Sequence, residues 1–542
     1  MAIGAVGAVV VLALTTASEV SAQSLYSTVG IRPAATKVAH GVAKPLATRP
    51  GTARPFTAHM ANVPQPATYT LPGQYPAEPL APTTVDNSRT WAAVAVAAAL
   101  GFFGWRRAGN QVPAAEHMAM VSTSGEVAAP APPKPAKKPR LPALDSIRFF
   151  LISYIVVGHF IQVCTANTLI LKLFTQINVV VGAFFVLSGY VAGYTGSLIG
   201  EQKADPRLEP THKYVISKVM GYWPLHFVVT LFFLPMFFYA DSYYNGPIKA
   251  AVHGLMSITL TQAWFPMHAE VWNAPTWFLS AMSAAMIAMP SCIQSIAKMS
   301  KKGLGQAMLT LSAILLLPRL AYSYDLNVWS VMEGMLNART HPNIALWNAT
   351  RFNPLYALVE MLMGVVAARM VMLDTQADKD AANEGGLWNS ITNSCLLPII
   401  GMVGIIVARA YDVIGLNDPL TRSLLFLPLF TRFLMNAHRQ TLKDTPDKMT
   451  LTKALAWGPM TYLGTISFPI FVLHGPLGQL FYKKVIAKMF VWSAYNTTVS
   501  FFFVYLASCV LGAAFLQWAF ISRKYAADAT KSLMGKLQGA FA

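Results

Sequence analysis

Charged side chains are what this chain has least of: Asp, Glu, Lys and Arg make up 12% of its 542 residues, about half the share in an average soluble domain. Cysteine is nearly absent as well. The four present, Cys164, Cys292, Cys395 and Cys509, lie far apart within or beside apolar segments. They form neither a disulfide framework nor a zinc spacing and read as small buried packers. No basic patch with interleaved aromatics accompanies the formal charge of +18, so nucleic acid is not an expected partner. No internal repeat marks two matching halves, the usual sign of a secondary transporter.

Apolar residues take the place of the missing charge. They reach 54% of the chain, with 11% aromatic, and the mean hydropathy is +0.45. Runs long enough to cross a hydrocarbon core recur between residues 146 and 521. The expected fold is all-α, a polytopic integral membrane bundle of about ten transmembrane helices. The expected spans lie near 145–163, 177–198, 216–239, 275–297, 304–321, 353–373, 394–410, 420–436, 459–481 and 498–521. A further apolar stretch, 250–265, is short and carries His253 and Gln262. If it re-enters or lies at the interface, the lysine- and arginine-rich loops all fall on one side, which should face cytosol or stroma; if it spans, they scatter.

The first 140 residues read as addressing. Residues 1–22 are signal-like and end in small residues, and 23–90 have a transit-like composition with no acidic residue from Gln23 to Ala77. A short apolar anchor or targeting helix, 91–105, meets Arg106 and Arg107. A Pro/Lys linker, 106–141, leads into a membrane domain over 142–524, and 525–542 form a C-terminal tail. The order suits the multipart presequence of an alga with complex plastids, and so a plastid membrane. A secretory signal followed by a disordered tail and one anchor, delivering the chain to the secretory, endomembrane or plasma membrane, is the alternative.

Ionisable groups inside lipid are costly unless they face a protein interior or a wet cavity, so each is a candidate for function. Arg148 and His159 stand eleven residues apart in one apolar segment. That is about three helical turns, which places them on one face about 16 Å apart along the axis. With ten spans, Arg148 lies near the basic side, whereas His159 and His474 fall in the far half of the membrane. Glu360 enters from the far side to a depth of about 12 Å. Arg148 also has a plain reading, pairing with Asp145 three residues earlier. Asp145 is equally a candidate N-cap after Pro142, and His159, Glu360 and His474 each have a structural alternative. Ser188 and Gly189 suit close helix packing.

These residues carry a resemblance. From Pro142 to Arg523 the chain resembles the acyltransferase 3 family of membrane O-acyltransferases, in an algal-like eukaryotic form. Its opening Leu-Asp-Gly-Leu-Arg block stands here as Leu144, Asp145, Ser146, Ile147 and Arg148, followed by His159. The second-helix pattern is Phe184, Phe185, Leu187, Ser188, Gly189 and Tyr190. A later block is matched by Asn353, Pro354, Glu360 and Gly364, and the last by Gly464, Ile466, Ser467, Phe468, Pro469, Phe471 and His474. Two positions depart from the family. Gly221 stands where a second base precedes Tyr-Trp-Pro, and Met282 where the family has a carboxylate.

The resemblance implies transfer of an acyl group from acyl-CoA, a donor substrate, to a hydroxyl on a glycan, lipid or small molecule. It implies His159 as general base and Arg148, Lys213 and Lys218 as holders of the donor's phosphates or carbonyl. Glu360 and His474 would orient the base or the acceptor, with Asp145, Ser188, Gly189 and Ser467 in structural roles. No metal and no bound cofactor are expected. Membrane lipids are expected partners, with membrane-complex subunits as further ones. Two other functions stay open: a catalytically degenerate structural subunit of a membrane complex, for which Gly221 and Met282 speak, and a secondary transporter.

Overall fold

A computed structural model describes residues 138–541, apart from 337–339, 384–385, 444–448 and 490–496. The expected segments 1–22, 23–90 and 91–105, and nearly all of the linker 106–141, lie outside the described residues. Among the described residues the chain is all-helical, with one isolated bridge between Ser197 and Ala204 and no strand.

Seven helical stretches are long and apolar enough to cross a membrane: Ala143–Cys164, Thr168–Gly196, Thr211–Phe232, Ala274–Ala297, Lys301–Asp325, Ile344–Met372 and Val499–Ile521. They contain the main helices α1 (Ala143–Cys164), α2 (Gly182–Gly196), α3 (Thr211–Val219) and α4 (Trp223–Phe232). After α4 come α5 (Leu234–Asn245) and α6 (Pro247–Thr259), then α7 (Trp277–Ala297), α8 (Lys301–Asp325) and α9 (Pro354–Met372). The remainder are α10 (Leu396–Ala410), α11 (Leu427–Lys443), α12 (Gly458–Tyr482), α13 (Val499–Leu516) and α14 (Lys524–Ala540).

Three other expected spans are helical but fall short on length or composition. At 15 residues, α10 is under the roughly 20 that a hydrocarbon core requires. Polar side chains along α11, and the glycines, prolines, His474 and Gln479 of α12, dilute their apolar character. Of the 250–265 stretch, residues 250–259 lie in α6, whose 13 residues reach only about 20 Å, and Gln262–Trp264 form a 3-10 turn after it.

The bundle alternates direction, so helix ends collect at two poles. At one pole Lys138 and Arg207 pair with Asp205 at 3.4 and 2.6 Å, and Lys301 and Arg439 pair with Asp374 at 2.9 and 2.7 Å. Buried Arg369 of α9 donates there to the carbonyls of Leu198 and Ala297, at 2.5 and 3.0 Å, and so satisfies the open ends of α2 and α7. At the other pole the Asn417 amide donates to Trp329 O at 2.6 Å, and Lys172 pairs with Asp412.

Between the poles, α2 and α9 touch backbone to backbone. A Cβ at Gly189 would overlap the Met361 carbonyl, and one at Gly364 would overlap the Val186 carbonyl. Small residues of this kind let membrane helices approach where no hydrophobic effect drives them together. Gly364→Ala should therefore cost about 1–3 kcal/mol, read as a lower melting temperature of the detergent-solubilised protein; an unchanged melt would show that the two helices can part.

Candidate active site

The site is built where the far ends of α1 and α12 meet. α12 contains Pro469 and Pro476, and a proline inside a helix leaves the carbonyl four residues earlier without its donor. For Pro476 that carbonyl is Val472 O, and Asn273 Nδ2 fills the vacancy at 2.9 Å. This ties the segment preceding α7 to α12 beside His474. Gly478 has no side chain where the Phe160 ring of α1 lies, so the helices close together one turn beyond the histidine.

His474 is fully buried. Its Nδ1 lies 2.7 Å from Phe471 O and 3.2 Å from Ile470 O, and its Nε2 lies 3.2 Å from Nδ1 of His159. The two rings stack with centroids 5.3 Å apart. Carbonyl oxygens only accept, so neutral His474 carries its proton on Nδ1. Its Nε2 then accepts from His159 Nδ1–H, which leaves the lone pair on His159 Nε2. Tyr505 Oη donates to His474 O at 3.1 Å and fixes the turn from the α13 side.

His159 is half-buried and borders a cavity of about 470 Å³ at this pole. Asp241, Glu270, Trp272, Gln479 and Lys483 line the same space. Glu270 pairs with Arg351, whose guanidinium lies 4.1 Å from the centre of the Phe352 ring. Behind Asp241, His253 Nε2 lies 3.1 Å from His268 Nδ1. Burial, with the nearby His253 adding to it, holds the His268 imidazole below its ordinary range.

Arg148 is placed by the same helix as His159. α1 is unbroken from Ala143 to Cys164, so the two stand about 16 Å apart along its axis. Arg148 Nη1 bonds Asp145 Oδ1 at 2.8 Å, with its side chain about one-third exposed. The N-cap position of α1 is Pro142, and Asp145 sits inside the first turn, held also by Arg140 at 3.7 Å. Lys213 is exposed on α3, and Lys218 Nζ lies 5.3 Å from the centre of the Tyr214 ring. Neither lysine shares a hydrogen bond or ion pair with Arg148. Ser188 is half-buried on α2, and Ser467 Oγ donates to Gly464 O at 2.7 Å. Met282 packs in the apolar core, and Gly221 lies in the turn between α3 and α4.

Glu360 is not joined to the histidines. Its Oε1 accepts from Arg319 Nη2 at 3.1 Å, and its Oε2 pairs with Arg422. All three groups are buried. Arg422 opens a π-helical turn, Arg422–Phe426, ahead of α11, and wide turns of this type often re-aim side chains at functional places. The sequence reading missed both arginines. The signal was there in two lone cations set in apolar helices, LLLPRLAY and PLTRSLLF, each of which needs a carboxylate close by.

A helical integral membrane protein in which one imidazole of a hydrogen-bonded pair lines a cavity is what this fold and site define. Comparison with protein families makes the class specific: the acyltransferase domain model, Acyl_transf_3, matches residues 141–518. The chain belongs to that family of membrane acyltransferases. No curated protein and no solved structure gives a significant match.

Proposed function

We propose that this protein is an O-acyltransferase that moves an acyl group from acyl-CoA, approaching the Lys/Arg-rich pole, to a hydroxyl bound in the cavity at the opposite pole. The observation that carries the reading is the one-way hydrogen-bond chain from His159 through His474 to the Phe471 carbonyl, which leaves an accepting nitrogen on His159. That nitrogen takes the acceptor's proton as its oxygen attacks the thioester carbonyl. The carbon–sulfur bond breaks, and the same proton passes to the departing sulfur, giving an ester and free CoA thiol. His474 fixes the tautomer and orientation of the base. Glu360 belongs to the scaffold in this reading, through its two arginines.

A ten-crossing topology with both ends of the domain on the basic side fits the alternation of helix direction, with α10, α11 and α12 as the additional crossings. Arg148, Lys213 and Lys218 would meet the donor's phosphates or carbonyl, Arg148 by exchanging Asp145 for the ligand. Leader composition favours a plastid membrane, which import of the full chain into isolated plastids checks.

The test is incubation of purified protein with radiolabelled acyl-CoA. Release of CoA with label transferred to an ester or to water supports the enzyme; uptake into proteoliposomes with the thioester intact supports a transporter. Inertness in both assays supports a structural subunit, which Gly221 and Met282 would favour. Arg148→Ala should weaken donor binding about tenfold or more with little change in kcat at saturating donor. Unchanged binding would remove Arg148 from the donor site.

A further inference from the structure

The hairpin of α5 and α6 has an arrangement that the acyl-transfer reading leaves unexplained. It turns at Gly246, whose φ of 81° favours glycine. On its outer face α6 presents Ile248, Val252 and Leu255, which are 81%, 52% and 63% exposed, a spacing of one helix stripe that suits lipid. Its inner face buries Ala250, His253, Gly254 and Ser257. Gly254 leaves room for the Trp272 indole to lie against the helix.

A short lipid-facing helix with a histidine on its inner side requires a polar partner, and that partner is Asp241. His253 Nδ1 lies 2.8 Å from Asp241 Oδ2, and Trp272 Nε1 donates to the same oxygen at 3.1 Å. Asn245 Nδ2 donates to Oδ1 at 2.7 Å. The carboxylate is thus pinned from three sides, yet Oδ1 has a single donor and keeps accepting capacity. Asp241 lines the same cavity as His159.

We infer that Asp241 is the specificity-determining residue for the acceptor: it receives a second hydrogen-bond donor of the molecule whose hydroxyl stands at His159. The inference rests on the acyl-transfer reading above. An ionised carboxylate accepts and does not donate, so the group it recognises is a hydroxyl or an ammonium. An ionised carboxylate or fully ionised phosphate offers Asp241 no donor and meets a like charge there, whereas Glu270 on the neighbouring wall is paired with Arg351 and Lys483 offsets part of the repulsion. The acceptor class is therefore a neutral or cationic head group with a second donor near the acylated hydroxyl. Anionic head groups and simple alcohols are disfavoured.

Four small probes test this with the full-length protein: glycerol, 2-amino-1,3-propanediol, 1-propanol and glycerol 3-phosphate, each assayed as acyl acceptor and as competitor of donor hydrolysis. Glycerol and the aminodiol should act at concentrations about tenfold or more below 1-propanol, with glycerol 3-phosphate weakest. Asp241→Asn should flatten that order by raising KM for the first two more than for 1-propanol, a change larger in KM than in kcat. Lys483→Gln, which removes the cation from the cavity wall, should move the preference further toward the aminodiol and serves if the Asp241 variant does not fold. A wild-type order that favours glycerol 3-phosphate or 1-propanol, no action by glycerol or the aminodiol at the highest concentration the protein tolerates, or an Asp241→Asn protein that keeps the wild-type order would overturn the inference. Retention of donor turnover in His159→Ala would instead sink the parent reading.

Discussion

His159→Ala is expected to lower acyl transfer by about 10²–10⁴-fold, the usual contribution of a positioned general base, while donor affinity stays within about twofold, since the ring makes no donor contact in this reading. The hydrogen-bond chain extends the expected effect to His474. His474 does not reach the cavity, so His474→Ala acts only by freeing the His159 ring to adopt either tautomer or to turn away. Its cost should fall on kcat and be smaller than that of the His159 change. Isothermal titration of the donor alongside single-turnover transfer separates the two steps. Transfer at the wild-type rate in His159→Ala would remove the mechanism, and a His474 effect confined to KM would show that its role is not orientation.

The largest stability effect is expected at Glu360. One carboxylate there bridges two buried guanidiniums, Arg319 from α8 and Arg422 from the π-helical turn, and holds them together. Removing the anion leaves two like charges with nothing between them, and breaking a buried pair in this way costs about 3–5 kcal/mol. Glu360→Ala should therefore fold poorly and melt well below the wild type. Replacing all three residues with apolar side chains of similar size should recover much of the loss, because the desolvation cost leaves together with the charges. Thermal melts in detergent, with folded yield from gel filtration, check both results; a Glu360→Ala melt within about 2 °C of the wild type would mean that the triad holds nothing.

The contrast between these two places explains what was legible in the sequence. His159 and His474 were readable because each breaks an otherwise apolar run, and an ionisable group in lipid announces itself whatever the fold. Glu360 announced itself in the same way, but its partners did not. Arg319 and Arg422 come from segments 41 and 62 residues away in sequence, and no local pattern states which cation meets which anion. Helix existence was likewise readable from apolar run length, whereas the number of crossings was not: α10 is short, and the apolar character of α12 is diluted by the prolines and glycines within it. Asp241 was invisible for a third reason. It belongs to no motif, and its meaning comes from a hairpin that folds His253 and Trp272 onto it.

The unbroken backbone of α1 has one more consequence. Arg148 and His159 are mounted on a single stiff rod whose graduation is about 1.5 Å per residue, so in the proposed reaction the depth at which a thioester would be presented is set by helical pitch. The loops at either pole can lengthen or shorten without moving that setting, whereas a tilt of the rod displaces both stations at once. The proposed donor contact at Arg148 and the acceptor cavity at His159 would then stay in step through mechanical stiffness, with no signal passing between them.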